Sequence, residues 1–368
     1  MNPTPIRTRL LRWLTPLDAT LFHTMLFLVG FSLIVLYSAA GMEWGKVINQ
    51  LRNLALAFTA MIIVARTQPQ ILQRLALPLY GAALLALIAV ALFGEVSHGA
   101  RRWLHIGPLH LQPSELMKLA LPMALASYFE WRARTPDWHD FTVAAFMLGV
   151  PVVLVLRQPD LGTALLIATS GFYILYYAGL PWKVMGLLAG LALASLPLIW
   201  PLLHGYQKKR VLTFLDPTQD PLGAGYHTLQ SMIAIGSGGV LGKGWLHGTQ
   251  AHLDFLPEHT TDFIFAVFGE EFGLVGELVF LGAMLILITR GFYIANEGST
   301  PFSRLLAGAL SMTLFTYTFV NMGMVSGLLP VVGVPLPFLS YGGTSLVTLF
   351  SSIGFLMSVH HHRKLVKQ

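Results

Sequence analysis

The chain is 368 residues long, 55% hydrophobic and only 11% charged, with a formal net charge of +6 at pH 7. Soluble domains carry roughly 25% charged residues, and a water-facing surface cannot be covered with less than half of that, so a soluble globular enzyme is excluded. The absence of cysteine removes disulfides, thiolate zinc sites, iron–sulfur clusters and a cysteine nucleophile, and in so apolar a chain the excess of Lys and Arg points to membrane anchoring rather than nucleic acid.

Arg7, Arg9 and Arg12 resemble a basic leader. The apolar run that follows, 17–40, is far longer than the ~7–15-residue core of a cleavable signal peptide and reads as a first span that stays. Further runs follow at 51–65, 75–93, 116–129, 141–156, 161–180, 184–203, 263–288, 305–325 and 345–359. Two of them, 51–65 and 116–129, fall short of the ~20 residues that cross a bilayer core, and predict shielding by neighbours or extension through their polar flanks. The pattern predicts an all-α polytopic membrane protein of about ten transmembrane helices, one integral-membrane domain over 1–368. One connection stands out. A large extracytoplasmic loop between spans 7 and 8, over 205–261, holds a helix-compatible run at 228–235, a glycine cluster and several aromatics. Loops of that length are uncommon and usually functional. With the N-terminus inside, 13 of the 23 Lys and Arg fall on the inner side and 10 on the outer, which assigns both termini to the cytoplasm. No internal repeat is visible, which weakens an inverted-repeat transporter.

Ionisable groups in or beside spans are expensive, so each is a candidate for function. Gln112-Pro113-Ser114-Glu115 opens a short span; Pro113 suits a first helical turn, and Glu115 and Lys118 then share a face. The pair either neutralises charge so that the span is tolerated or lines a polar cavity. Arg157-Gln158-Pro159-Asp160 forms a polar turn between two spans, in which Asp160 caps the next helix or faces the same cavity. Phe255 to Phe263 is the densest group: Pro257 reads as a helix start, placing Glu258 and Asp262 four apart on one face where the long loop enters a span. Glu270 and Glu271 add two acids at membrane depth, as metal ligands or as helix stitching. A carboxylate in a semi-dry cleft is poised to accept a proton.

The run Gly236 to Gly244 with Lys243 mimics a phosphate loop but fails its spacing, and the dinucleotide fingerprint also misses, so a nucleotide site is rejected; a backbone nest around a lipid phosphate stays open. His360, His361 and His362 sit beside Arg363 and Lys364 at the inner end of the last span and read as interfacial anchoring rather than a metal tract. Gly186 and Gly190 read as a small-residue packing pair.

Three stretches together resemble the SEDS family, the RodA/FtsW-like proteins. They are the Gln-Pro-Ser-Glu run, the group ending in Asp262-Phe263, and a C-terminal stretch from Asn321 through Gly327, Pro330 and Gly333 to Pro337-Phe338-Leu339-Ser340-Tyr341-Gly342-Gly343-Thr344-Ser345. Arg101-Arg102-Trp103, Gln158 to Thr163 and Gly223 to His227 also fit, the resemblance spans nearly the whole chain, and its details favour the elongation members. The resemblance implies a peptidoglycan glycosyltransferase that polymerises lipid II on the outer face of the bacterial inner membrane during elongation. It implies an essential acid at Asp262 and a cavity pair at Glu115 and Lys118. It also implies a class B penicillin-binding protein that supplies transpeptidase activity, neighbouring elongation-complex membrane proteins, and a divalent cation (Mg or Mn) with unassigned ligands. No nucleotide, haem or nucleic acid enters. Asp262 is then the general base for the acceptor hydroxyl. Arg101, Arg102, Arg210, Lys243 or a cation meets the departing polyprenyl diphosphate, in a substrate site that includes Gln158, Asp160, Glu258, Ser340, Gly342 and Gly343. One direct displacement inverts the anomeric centre. Two other readings compete: a lipid II flippase built on the same cavity, and a non-catalytic scaffold of the elongation machinery. Acids concentrated on the outer side favour chemistry there.

Overall fold

The computed structural model describes residues 17–97, 100–106, 109–132, 135–199, 201, 205, 208, 212–213, 224–249 and 258–363. In chain order it runs α1 (Ala19–Ala39), α2 (Trp44–Arg66), α3 (Pro69–Phe93), β1 (Glu95–Ser97), β2 (Ala100–Ile106), β3 (Leu109–Leu111), α4 (Pro113–Arg132), α5 (Trp138–Leu156) and α6 (Leu161–Tyr177). It continues with α7 (Trp182–Ile199), α8 (Ala224–Gly238), α9 (Ile264–Glu297), α10 (Pro301–Val325) and α11 (Thr344–His361). Each of the ten apolar runs coincides with a helix, and α8 covers the helix-compatible run inside the long connection. Six of them, α1, α2, α3, α5, α9 and α10, are long and apolar enough to cross a membrane. The two short runs are extended by their polar flanks, to 23 residues in α2 and 20 in α4.

The expectation of an all-helical chain needs one correction. Between α3 and α4 the strands β1, β2 and β3 form an antiparallel meander, with Val96 opposite Arg101 and His105 opposite His110. Apolar alternation around Gly107-Pro108 was the available signal. This meander carries Arg102.

Burial sorts the helices by role. α3 buries a single stripe, Leu72, Ala76, Ala83, Leu87 and Val90, while Leu75, Leu77, Leu85 and Leu92 stay exposed; such a helix shows lipid its other faces. α4 and α10 are buried nearly all round and pack on each other, on α6 and on α11. Glu115 and Lys118 therefore lie in the middle of the bundle. α7 differs: a side chain at Gly186 or Gly190 would meet nothing within 4 Å. The small-residue pair thus makes no packing seam among the described residues, because no helix comes close to that face.

α9 is broken at Gly273, whose φ of 62° is open to glycine. A break at membrane depth exposes backbone groups that lipid cannot satisfy, and the segment after α8 satisfies them. The Lys243 and Gly244 amides donate to the Glu270 and Glu271 carbonyls, and the Leu274 and Val275 amides to the Gly239 and Val240 carbonyls. A Cβ at Gly242 would lie 2.1 Å from the Glu271 carbonyl oxygen, so only glycine fits the approach. This corrects the nest reading. The glycine cluster serves a helix break, and its amides are already spent.

At the opposite end of the bundle Asp18 caps α1 through the Leu21 amide at 3.0 Å and holds Arg290 of α9 at 2.7 Å. His360 approaches the same carboxylate to 3.4 Å, so the His run anchors helix ends as expected. Burial alone lifts the Asp18 carboxyl, but the Arg290 and Leu21 bonds and the nearby charges of Arg290 and His360 outweigh it and hold it below the ordinary carboxylate value. A depressed carboxylate contributes stability that is present at neutral pH and lost as the pH falls through the lowered value. Asp18→Asn is expected to cost on the order of 2 kcal/mol at neutral pH, read as a lower thermal midpoint in detergent; an unchanged midpoint would show that the cluster is not holding α1 to α9.

Candidate functional site

Asp262 lies in an irregular turn, not on a helix. Residues 258–263 form turns and α9 begins at Ile264, so the expected helix start at Pro257 is corrected; Pro257 itself lies outside the described residues. Glu258 adopts a left-handed φ of 54°, and its carbonyl accepts from the Thr261 and Phe263 amides at 3.1 and 3.2 Å. That conformation closes a turn and cannot open an α-helix. Glu258 and Asp262 still meet electrostatically, across a turn instead of along a helix face.

The C-terminal motif holds this turn. The Ser340 hydroxyl donates to the Thr261 carbonyl at 2.8 Å and accepts from the Leu336 amide at 2.7 Å. The Tyr341 amide donates to the Thr260 carbonyl at 2.9 Å. Ser340 is 4% exposed; its hydroxyl is consumed by backbone, so it shapes the turn and does not present itself to a substrate. Gly342 is gripped from α2, its amide donating to Gln50 Oε1 at 3.3 Å and its carbonyl accepting from Asn53 Nδ2 at 3.2 Å. Gln50 and Asn53 were not singled out from the sequence; the polar flank of the short run 51–65, with amides at 49, 50 and 53, was the signal. Gly343 is the exposed residue that precedes α11.

A second wall comes from the 157–160 turn. Asp160 caps α6 through the Thr163 amide at 3.1 Å, as the first of its two readings had it, and its charge also acts on Asp262. Arg102 donates to the Pro159 carbonyl at 2.8 Å and lies 3.7 Å from Asp160. Gln158 is buried, with Nε2 3.5 Å from the Leu87 carbonyl of α3. Asp262 thus lies half-buried among Glu258, Asp160 and Arg102. Among the described residues, no ion pair or side-chain hydrogen bond holds its carboxylate. Burial first, then the like charges of Glu258 and Asp160, push it up to about 6, against the pull of Arg102. A carboxylate of that value is ionised at neutral pH and basic enough to take a proton.

Glu115 and Lys118 form a buried pair, Nζ to Oε1 2.6 Å, on one face of α4 as the spacing required. Lys118 also sits 5.3 Å from the Tyr317 ring centroid. Lys118, Tyr317, Thr313 and Ser340 line a narrow cavity of ≈ 50 Å³, room for water and not for a sugar ring. Ser340 is shared between this cavity and the Asp262 turn. The pair therefore stands behind the turn that carries Asp262.

Lys243 is committed elsewhere: its ammonium lies 2.6 Å from Glu270, whose Oε1 also accepts from the Thr249 amide and hydroxyl at 2.9 and 2.8 Å. Glu271 accepts from the Ser38 hydroxyl. These two acids tie the long connection to α9 and α1. Arg101 lies in β2, with its side chain outside the described residues, as is the whole of Arg210. No group of three or more His, Asp or Glu converges to hold a metal among the described residues, so the implied divalent cation finds no protein cage there and no step is routed through it.

Fold and site define a polytopic helical membrane protein with a free carboxylate on a hydrogen-bonded turn at one end of its bundle. The FtsW/RodA/SpoVE family, described as cell cycle proteins, matches residues 12–365, and the chain belongs to it. It is similar to the peptidoglycan glycosyltransferase MrdB of Escherichia coli K12, 46% identical over 96% of this chain and 95% of that one. It is also similar to the peptidoglycan glycosyltransferase RodA of Treponema pallidum, 30% identical over 95% and 99%. Among solved structures it resembles a chain of a peptidoglycan synthase complex that coordinates polymerization and crosslinking. There the TM-score is 0.82 and the identity 34%, over 95% of this chain and 99% of that one. The rod shape determining protein RodA of Thermus thermophilus superposes with TM-score 0.72 at 30% identity, over 95% and 98%.

The Glu115–Lys118 pair makes a direct prediction. Glu115→Leu strands an ammonium in the bundle and is expected to cost about 3–5 kcal/mol. Glu115→Leu with Lys118→Met is expected to recover part of that loss in thermal stability; a double variant as unstable as the single one would remove the pair from the account.

Proposed function

We propose that this chain, whose relatives are named peptidoglycan glycosyltransferases, polymerises glycan strands from lipid II. The observation that carries the reading is Asp262: a carboxylate lifted to about 6, without an ion pair among the described residues, on a turn whose backbone is pinned. A sugar hydroxyl is too weak a nucleophile until its proton is removed during attack. Asp262 takes that proton as the hydroxyl oxygen bonds to the anomeric carbon of the donor. The bond from that carbon to the polyprenyl diphosphate breaks with its electron pair on the diphosphate oxygen, and the centre inverts from α to β. Diphosphate leaves as an anion, so a general acid is dispensable. In this reading Arg102, half-buried at the same wall, meets the developing charge, and Arg101 and Arg210 are further cations. Gln158, Asp160 and the Gly342–Gly343 turn frame the site. The polyprenyl chain needs apolar walls, and the exposed Leu85 and Leu92 on the half of α3 that leads into β1 offer that chemistry.

In this reading the chain spans the bacterial inner membrane ten times with both termini cytoplasmic, and the connection between the seventh and eighth spans is periplasmic. The end that carries Arg66, Arg132, Arg290, Arg304 and Arg363 faces the cytoplasm, as the positive-inside bias requires, and Asp262 faces out. A class B penicillin-binding protein crosslinks the product within the elongation complex; likeness to a chain of a polymerising and crosslinking complex supports such a partner.

Full-length protein with its transpeptidase partner and labelled lipid II in detergent tests the activity, because only a polymerase makes glycan there, where two compartments are lacking. Asp262→Asn keeps shape and removes the base, and is expected to lower the rate about 10²–10⁴-fold; full polymerisation by a folded variant would refute the role. The base must be unprotonated, so the rate falls as the pH drops through about 6. Arg102 pulls that value down, so Arg102→Gln is expected to move the acid limb to higher pH. A limb that stays in place would separate Arg102 from Asp262.

A further inference from the structure

The turn before α9 presents three successive carbonyls, those of Thr260, Thr261 and Asp262. The first two are met by the Tyr341 amide and the Ser340 hydroxyl. The third, on the residue that bears the carboxylate, is met by a side chain from a different helix. Asn321 of α10 is fully buried. Its Nδ2 donates to the Asp262 carbonyl at 2.9 Å and to the Val334 carbonyl at 2.7 Å. Both partners only accept, so the amide group has one orientation. Its Oδ1 is then left inside the protein with no donor.

That arrangement is poor for stability taken alone. Asn has a low helix propensity, and a buried acceptor without a donor costs more than a hydrogen bond returns. What the carboxamide achieves is a bridge. One group joins the Asp262 backbone to the segment 331–336 that descends from α10, so both walls of the turn move together. An aspartate side chain has two rotatable bonds, so with its carbonyl fixed the position of the carboxylate is set within a narrow range.

We propose that Asn321 is a positioning residue for glycosyl transfer, fixing through the Asp262 carbonyl the backbone from which the Asp262 carboxylate meets the acceptor hydroxyl. It touches neither sugar. The inference deepens the reading of Asp262 as base and rests on it. A positioning group acts on the reacting geometry and not on ground-state affinity, so its loss appears in kcat and leaves KM in place.

The test compares Asn321→Leu, Asn321→Asp and Asp262→Asn in the full-length protein with its transpeptidase partner and labelled lipid II. Ser311→Ala serves as a control, since the Ser311 hydroxyl bonds only within α10. Asn321→Leu keeps the branched shape and supplies no donor; its kcat is expected to fall about 100-fold, with KM for lipid II within about twofold of wild type. Asn321→Asp, neutral when buried, restores one donor and is expected to fall between the two. It also decides the matter if the Leu variant does not fold. Wild-type kcat in both Asn321 variants, with Asp262→Asn inactive, would overturn the inference while leaving the base assignment intact. A loss of kcat that comes with an equal loss of lipid II affinity and a collapsed thermal midpoint would overturn it too, by showing a general structural role. An active Asp262→Asn variant would instead remove the base reading beneath it.

Discussion

A membrane bundle has no water with which to satisfy irregular backbone, and every departure from helix inside it must be hydrogen-bonded by protein. Two such departures organise this molecule. One is the break at Gly273, whose freed amides and carbonyls are met by the glycine-rich segment after α8. The other is the turn at residues 258–263, whose carbonyls are met by Tyr341, Ser340 and Asn321. In each case a loop distant in sequence supplies the missing partners. The motif residues around 340 are thereby explained as scaffolding for a neighbouring turn.

The same economy governs charge. Lys118 is matched by Glu115, Lys243 by Glu270 and Arg290 by Asp18. Arg132 lies 2.9 Å from Asp140, and the Glu130 carboxylate caps α10 through the Phe302 amide at 2.7 Å. A charge without a partner in such surroundings shifts its proton equilibrium or is neutralised. Asp262 is the carboxylate at the turn before α9 for which the described residues offer like charges and one shared arginine instead of a dedicated cation. Its basicity is a product of burial first and of that company second. The Glu115–Lys118 pair, behind a water-sized cavity, contributes a fixed field and a matched pair of charges rather than a surface for sugar.

Much of this was legible in the order of residues. Hydrophobic runs located the helices because a run of apolar side chains has no other stable state in lipid. Pro113 opened α4 and placed Glu115 three residues from Lys118 because helical periodicity alone decides that contact. Asp160 capped α6 because a short acceptor beside free amides has that outlet wherever the helix lies. The family motifs were likewise visible residue by residue, as was Asp262 within them.

What the sequence could not supply was the pairing of segments far apart along the chain. Pro257 suggested a helix that Glu258, in a left-handed conformation, does not allow. The run around Lys243 looked like an anion nest until α9 claimed its amides. Ser340 looked like a ligand contact until Thr261 and Leu336 took up its hydroxyl. Asn321 was one motif letter among several, given meaning only by two carbonyls from other segments. Local order thus settled which stretches are helices and which residues carry charge, because those depend on neighbours within a turn or two. Tertiary packing alone settled which polar groups remain free to act, because a donor or acceptor is spent or spared according to what the fold brings against it.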